Sequence, residues 1–216
     1  MTFTSLSDDI TEYCVRGGAS VDAVFAGQVP SFINLTEQQI AHELKIQGLI
    51  NVVTSSFTSV VGVYQKPNRW RETVSINIGT NVGTSTTYGT RQFLLPRSYE
   101  YCRTYWPTAT ETGTPKFYCD YNYENIMVVP TPAETNPFEM LYWQLPPPLD
   151  ITLQTNFFTE YTPNALLDGA LVRAFNFLKN AEQAAVWQAA FDRDMAALAG
   201  EDLQKILDRA QERRTS

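Results

Sequence analysis

YTPNALLDGALVRAFNFLKNAEQAAVWQAAFDRDMAALA, residues Tyr161–Ala199, decides the architecture of this chain. Thr162 before Pro163 marks a helix start, because proline at the first helical position gives up only an N–H that would be unpaired there anyway. Leu166/Leu167, Ala170/Leu171, Ala174/Phe175 and Leu178 then recur with helical period. Lys179-Asn180 breaks the pattern, and a second helix presents Trp187, Phe191, Met195 and Leu198 along one face. Two such helices joined by a tight turn form an antiparallel pair. Neither apolar stripe can stay in water, and the expected partner is the first fifty residues, far away in sequence.

Those first residues read as helices. Residues 4–15 form a short amphipathic segment in which Leu6, Ile10 and Tyr13/Cys14 share a face, with Asp8 and Asp9 in the first turn. Arg16-Gly17-Gly18 ends it, and Val21 to Phe25 adds a turn or two. Pro30 punctuates, and Thr36-Glu37-Gln38-Gln39 reads as a capping box that opens a helix carrying Ile40 and Leu44 to an end at Gln47-Gly48. Asn34-Leu35-Thr36 matches a glycosylation acceptor, but no secretion signal accompanies it.

From Asn51 the period changes to two. Strands are expected at Phe57–Tyr64, Val74–Ile78, Gln92–Leu95, Lys116–Tyr121, Ile126–Val129, Met140–Leu145 and Ile151–Leu153, with helical spacing only at Ser98–Trp106. Residues 79–90, GTNVGTSTTYGT, read as a polar hairpin tip or loop. Pro130, Pro132, Pro137 and Pro146-Pro147-Pro148 forbid helix through this half and mark strand ends. The expected fold class is therefore α+β: a discontinuous helical bundle made by the two chain ends, with an inserted antiparallel β-sandwich or barrel-like domain. The expected boundaries are 1–50 plus 161–199 for the bundle and 51–160 for the β domain. Gly200 stops the second helix, and 200–216 forms a C-terminal docking helix with Leu203, Ile206, Leu207 and Ala210 on its apolar stripe.

A chain of 216 residues can bury a core without staples. Its three cysteines, Cys14, Cys102 and Cys119, include no C-x-x-C pair, which argues for reduced thiols rather than a disulfide framework or structural zinc. No apolar run approaches the length of a membrane span, and the N-terminus lacks a basic region and apolar core. The net charge of −7 opposes a primary role in gripping nucleic acid. Its distribution is uneven: residues 66–103 hold six basic against two acidic residues, a net of +4, while 108–160 hold seven acidic against one basic, a net of −6. These segments can satisfy each other within one chain or meet across copies.

The chemistry-bearing residues are sparse. His42 is the one histidine, placed mid-helix with no nucleophile elbow near it. Asp8-Asp9 and Asp192/Asp194 lack metal-ligand spacing, and GTNVGTSTTYGT has neither the lysine nor the following helix of a phosphate loop. A carboxylate pair for glycoside cleavage is not excluded by spacing alone. Trp70, Trp106, Tyr142 and Trp143 make either core or a sugar platform, and strand aromatics favour core. The chain reads as no enzyme, with no cofactor or metal.

VPSFINLTEQQIAHEL, then LPRSYEYCRTYW, then GTPKFYCDYNYENIMVVPTPAETNPFEMLYWQLPPPL, then NFFTEYTPNALLDGALVRAFNFLKNAEQAAVWQAAFDRDMAAL together resemble adaptor proteins of tailed bacteriophages, the head-to-tail connectors beneath the portal, especially in short-tailed phages. The resemblance covers most of residues 28–199 and carries no catalytic motif. It implies a dodecameric ring in the virion neck, made in the host cytoplasm, whose partners are further copies of itself, the portal protein, a downstream tail or nozzle protein, and duplex DNA sliding through without specific binding. It also implies that the helices and C-terminal tail face the portal, which makes Leu203, Ile206, Leu207, Ala210, Arg209, Arg213 and Arg214 the expected docking residues. The rival reading is a β-sandwich carbohydrate- or receptor-binding module of a virion; a small hydrolase is a third.

Overall fold

The computed structural model describes residues 1–14, 22–44, 47–79, 91–108 and 110–215, with the side chains of residue 47 and of 201–215 outside the described set. The described chain is α+β, with six α-helices and a curled mixed sheet. It divides into two compact units, residues 1–49 with 145–216, and residues 50–144.

In the helical unit, α1 (Phe3–Cys14) buries Phe3, Leu6 and Ile10, the helical repeat of its sequence. Its start is tied to a distant loop: the Phe3 amide donates to the Gln154 carbonyl at 2.8 Å, and the Thr4 hydroxyl donates to Gln154 Oε1 at 3.0 Å. The expected stop at 16–18 lies outside the described residues. Helix α2 (Ala23–Glu43) is one unbroken helix, capped by the Asp22 carboxyl on the Val24 amide. Pro30 sits inside it rather than punctuating it, so one ladder hydrogen bond is missing while burial of Phe25, Val29, Phe32 and Ile33 around it carries the helix through. Helix α2 ends at Glu43, and a 3-10 turn at Gln47–Leu49 follows.

Thr36 and Glu37 therefore do not cap a helix; they lie mid-helix and buried. The Thr36 hydroxyl donates to the Phe32 carbonyl at 2.8 Å, and the Arg173 guanidinium donates to Thr36 Oγ1 at 3.3 Å and to Gln39 Oε1 at 2.8 Å. The Glu37 carboxyl accepts from the Asn156 carboxamide and from the Leu149 amide. Burying polar groups of this kind is costly unless each finds a partner, so these bonds act as anchors. Residues 145–160 accordingly group with the helices and not with the β unit. Ile151–Leu153, expected as a strand, is a turn in which the Asp150 carboxyl accepts from the Thr152 and Leu153 amides.

Asn156 then caps α4 (Phe157–Tyr161) in a reciprocal box with Thr159. Helix α5 (Pro163–Phe177) follows with Pro163 in its first turn, as the sequence predicts. Lys179, at a φ of 56°, turns the chain, and the Asn180 carboxamide accepts the Gln183 amide at the start of α6 (Ala181–Thr215). Gly200 does not stop this helix, which spans 35 residues in all. That length is about 52 Å at 1.5 Å per residue.

Gly169 on α5 sits where α2, α5 and α6 pack closely. A Cβ there would lie 2.5 Å from Thr36 Cγ2 of α2 and 2.8 Å from Phe191 Cε2 of α6. Gly200, by contrast, would place a Cβ within 4 Å of nothing.

The second unit is a seven-stranded sheet. Its strands are β1 (Ile50–Phe57), β2 (Val63–Gln65), β3 (Trp70–Gly79), β4 (Arg91–Pro96), β6 (Phe117–Asp120), β7 (Asn125–Val129) and β9 (Asn136–Gln144), in the order β1-β9-β3-β4-β6-β7-β2. A separate parallel pair joins β5 (Thr112–Gly113) to β8 (Thr131–Pro132). The sheet is mixed rather than antiparallel, because β4 and β6 run parallel through a crossover that contains α3 (Tyr99–Tyr105). Phe57–Tyr64, expected as a strand, is mostly the β1–β2 turn, with Val60 at a φ of 64°.

Alternation fills one face: Phe57, Ile76, Ile78, Leu94, Tyr118, Ile126, Val128, Phe138, Met140 and Tyr142 form a single buried cluster. Register puts Met140 between Val53 and Ile76. On the other face α3, capped by Ser98, seats Cys102 on Cys119, Met127 and Val129. The strands at the two ends of the order, β1 and β2, do not pair, yet the Phe57 and Tyr64 rings meet at 4.7 Å. The sheet thus curls into a half-barrel with an open seam.

The contrast between the two glycines gives an expected outcome. Gly169→Ala lowers unfolding free energy by about 1–3 kcal/mol through overpacking, whereas Gly200→Ala raises it by about 0.5–1 kcal/mol through helix propensity. Urea denaturation of both variants checks this; two shifts of the same sign contradict the packing at Gly169 or the continuity of α6.

Candidate functional site

The distal half of α6 carries every residue that the sequence singles out for docking. Leu203, Ile206, Leu207 and Ala210 are spaced three, one and three apart, which places them on one face of a continuous helix. Arg209, Arg213 and Arg214 follow toward the C-terminal end, where the helix dipole favours cations.

A cavity of about 180 Å³ sits where this half begins, lined by Tyr161 at the end of α4, by Pro163 and Asn164 at the start of α5, and by Asp194, Ala197 and Leu198 of α6. Since the first residues of α5 lie beside residues 194–198, α6 runs on past the end of its antiparallel partner. Tyr161 stands 71 % exposed at this rim.

One turn further into the α5–α6 pair, Asp168 is buried. Burial first, and then the Asp194 carboxylate, push its carboxyl above the usual aspartate range, while Arg193 opposes the shift. Raising a carboxyl pKa on folding means that the folded chain favours the neutral acid. The contribution of this carboxyl to stability is therefore fully present at acid pH and is lost as pH rises from the ordinary value of 3.8 through the higher folded one. Sequence reading gave no signal for this residue, because Leu167-Asp168-Gly169 looks like a polar interruption of the stripe.

In the β unit the charge asymmetry is partly resolved within the chain. Lys66, from the basic segment, is buried; its ammonium donates to Asp120 Oδ1 at 2.8 Å and to the Asn122 carbonyl at 2.9 Å. It also lies 3.5 Å from the centroid of the Trp70 ring. This one cation joins the β2–β3 turn to the β6–β7 turn, beneath a cleft of about 300 Å³. Arg91 reaches Glu139 at 3.5 Å in a second link between the two segments.

The aromatic residues do not converge on a sugar platform. Tyr142 is in the core, Trp70 lies under Lys66 and donates to Thr73 Oγ1, and Trp106 packs beside Phe117 under α3. His42 is exposed in the last turn of α2. Among the described residues no group of three His, Cys, Asp or Glu side chains is placed to hold a metal ion, and no helix is long and apolar enough to cross a membrane. The cysteines are free thiols; burial pushes Cys119 to about 12 and Cys14 to about 11, so both resist forming the reactive thiolate.

What the surface does offer is contact area. Apolar side chains stand exposed in the β unit at Phe93, Leu95, Tyr99 and Tyr105, and in the helical unit at Val24, Phe177 and Leu178. The chain belongs to the SU10 adaptor protein family, whose model matches residues 1–215. It is a structural phage protein that connects head and tail in the virion neck. No curated protein sequence matches it.

Asp168→Asn, which keeps shape and removes the charge, is expected to raise the melting temperature at pH 7 and to leave it nearly unchanged at pH 4. Thermal melts across that range check the sign. A variant that melts lower at pH 7 shows instead that the ionised carboxylate stabilises the α5–α6 pair.

Proposed function

We propose that the protein is the ring-forming adaptor of a short-tailed phage, with twelve copies mounted between the portal and a tail or nozzle protein, and with duplex DNA passing through the channel. The family match over nearly the whole chain carries this reading. Two further features support it. The chain ends contribute the helices of one unit and the middle of the chain forms the other, which suits a molecule that must face two different partners. The formal charge of −7 per copy suits a channel through which phosphates slide, since a basic lining would hold them strongly.

The distal half of α6 is the portal-docking element in this reading. Burial of Leu203, Ile206 and Leu207 on the portal would contribute roughly 5–9 kcal/mol, at about 1.5–3 kcal/mol each. Ordering costs about 1–2 kcal/mol per backbone residue that was free before binding, so one copy docks weakly. Several copies on one ring raise the effective concentration and make the joint firm.

Removal of residues 201–216 is expected to leave a folded chain that still forms rings but no longer binds the portal, read by negative-stain imaging and co-sedimentation. A truncated chain that binds the portal as the full chain does would refute the docking role. The rings are also expected not to bind random duplex at submicromolar concentration. Tight, salt-sensitive binding in a mobility-shift titration counts against the sliding channel.

A further inference from the structure

Helix α3 covers only part of the outer face of the sheet. It sits over β6 and β7, where Cys102 meets Cys119, Met127 and Val129. The stretch over β4, β3, β9 and β1 lies beyond it. Phe138, Met140 and Tyr142 of β9 point into the core, so Glu139 and Leu141 point outward, and the register carries this alternation to the neighbouring strands. One outward row reads Thr54, Glu139, Asn77, Phe93. The next holds Val52, Leu141 and Ser75, with Leu95 two positions on from Phe93. Val52 is 51 % exposed, Phe93 61 % and Leu95 50 %, so this stretch of the sheet presents apolar side chains that no described residue covers.

The polar atoms of this face are short of donors. Asn77 is buried, and its carboxamide nitrogen donates to Glu139 Oε1 at 3.1 Å, but its Oδ1 accepts from no group. Among the described residues it is the one buried side-chain atom left in that state, which is costly unless a bound partner supplies the donor. Arg91 reaches the same Glu139 oxygen at 3.5 Å, so Glu139 Oε2 has no bond among the described residues. Beside α3 the balance is reversed. Arg103 donates from Nε to the Tyr99 hydroxyl at 3.2 Å and lies over the Tyr99 ring, yet forms no ion pair among the described residues. The Tyr99 hydroxyl keeps its own proton to give. The Tyr121 ring lies 5.8 Å from that of Tyr99, and its hydroxyl has no hydrogen-bond partner among the described residues. Both rings are exposed.

We propose that the uncovered sheet face of one copy receives the Tyr99–Arg103–Tyr121 patch of the next copy, with Asn77 Oδ1 accepting from a tyrosine hydroxyl and Glu139 Oε2 from the Arg103 guanidinium. The inference rests on the ring reading above and names a lateral contact of that ring. Apolar surface meets aromatic surface, acceptors that lack donors meet donors that lack acceptors, and a carboxylate meets a cation that has no ion pair of its own. Phe93 stands opposite Asn77 on β4 and is mostly exposed, so its ring is the side chain that swings aside to admit the hydroxyl. The sheet curls until the Phe57 and Tyr64 rings touch, which turns the face over β9 and β3 and the face over β6 to different sides of the unit. Contact between two different patches is head-to-tail and leaves one of each open for a further copy, which is how rings grow.

The test uses the full chain and reads assembly by sedimentation, with the portal added where the parent chain needs it. Asn77→Val removes an acceptor that no group of the single chain uses, so the separated variant should melt no lower than the parent yet assemble about tenfold more weakly or worse. Arg103→Glu and Glu139→Arg each set like charges across the contact and should each weaken assembly by about tenfold or more. The two together in one chain exchange the signs and should restore it. Damage to the fold at two separate places gives no such rescue, so the double variant keeps the proposal open to refutation if Asn77→Val fails to fold. Leu95→Glu and Arg103→Glu, mixed, keep one intact patch each and should stop at pairs. Rings that form normally from Asn77→Val and both charge variants, or losses that the double variant does not rescue, would overturn this contact and leave the ring reading standing. A parent chain that stays single under every condition, portal included, would overturn both.

Discussion

A buried carboxyl holds the helical unit together. Glu37 sits mid-helix on α2, 1 % exposed, and accepts from the Asn156 carboxamide and the Leu149 amide. Asn156 uses its remaining oxygen to cap α4, and α4 leads directly into α5. The first forty residues and the segment that follows the β unit are thus joined by polar bonds that would be costly to leave unmade inside a protein. Apolar packing is nondirectional and would tolerate a sliding of α2 along α5; these bonds have one register. Thr36, one residue earlier, packs against Gly169 and receives the Arg173 guanidinium, so the same helical turn also sets the distance between α2 and α5.

The β unit answers a different constraint. A twisted sheet of seven strands cannot bury one apolar face while flat, and here it curls until the Phe57 and Tyr64 rings touch across its two ends. Lys66 secures the turns beside one of those ends by a charge-assisted bond to Asp120 and a seat over Trp70. The curl stops short of closure, and an incomplete barrel is both a stable core and an unfilled edge.

Long α6 joins these themes. Its first half is held against α5, with Phe191 packed at Gly169, and its second half runs on past that support. A helix is a rigid rod only as long as its hydrogen bonds hold, and a glycine at its midpoint weakens it by about 0.5–1 kcal/mol relative to alanine. Gly200 meets no neighbour that would require a glycine. Its place is at the boundary between the half that serves the fold and the half read here as serving a partner.

Sequence alone determined the class and the order of the parts. The helical repeat of 161–199, the Thr162-Pro163 start, the Ser98-capped helix and the strands from Gln92 to Leu145 were legible because each is a local pattern of period or capping. The resemblance to adaptors rested on the order of those same segments. Tertiary structure decided the rest. Thr36-Glu37 reads locally as a capping box, but the same two residues serve as well for buried anchoring, and only the arrival of Asn156 and Leu149 from more than a hundred positions away selects that use. Pro30 and Gly200 carry strong local signals to stop a helix, and burial and continuity override signals worth only about 1–3 kcal/mol. The parallel β4–β6 pairing, the seam and the burial of Asp168 and Lys66 were invisible, because strand order and burial are set by which surfaces meet and not by any residue's own preference.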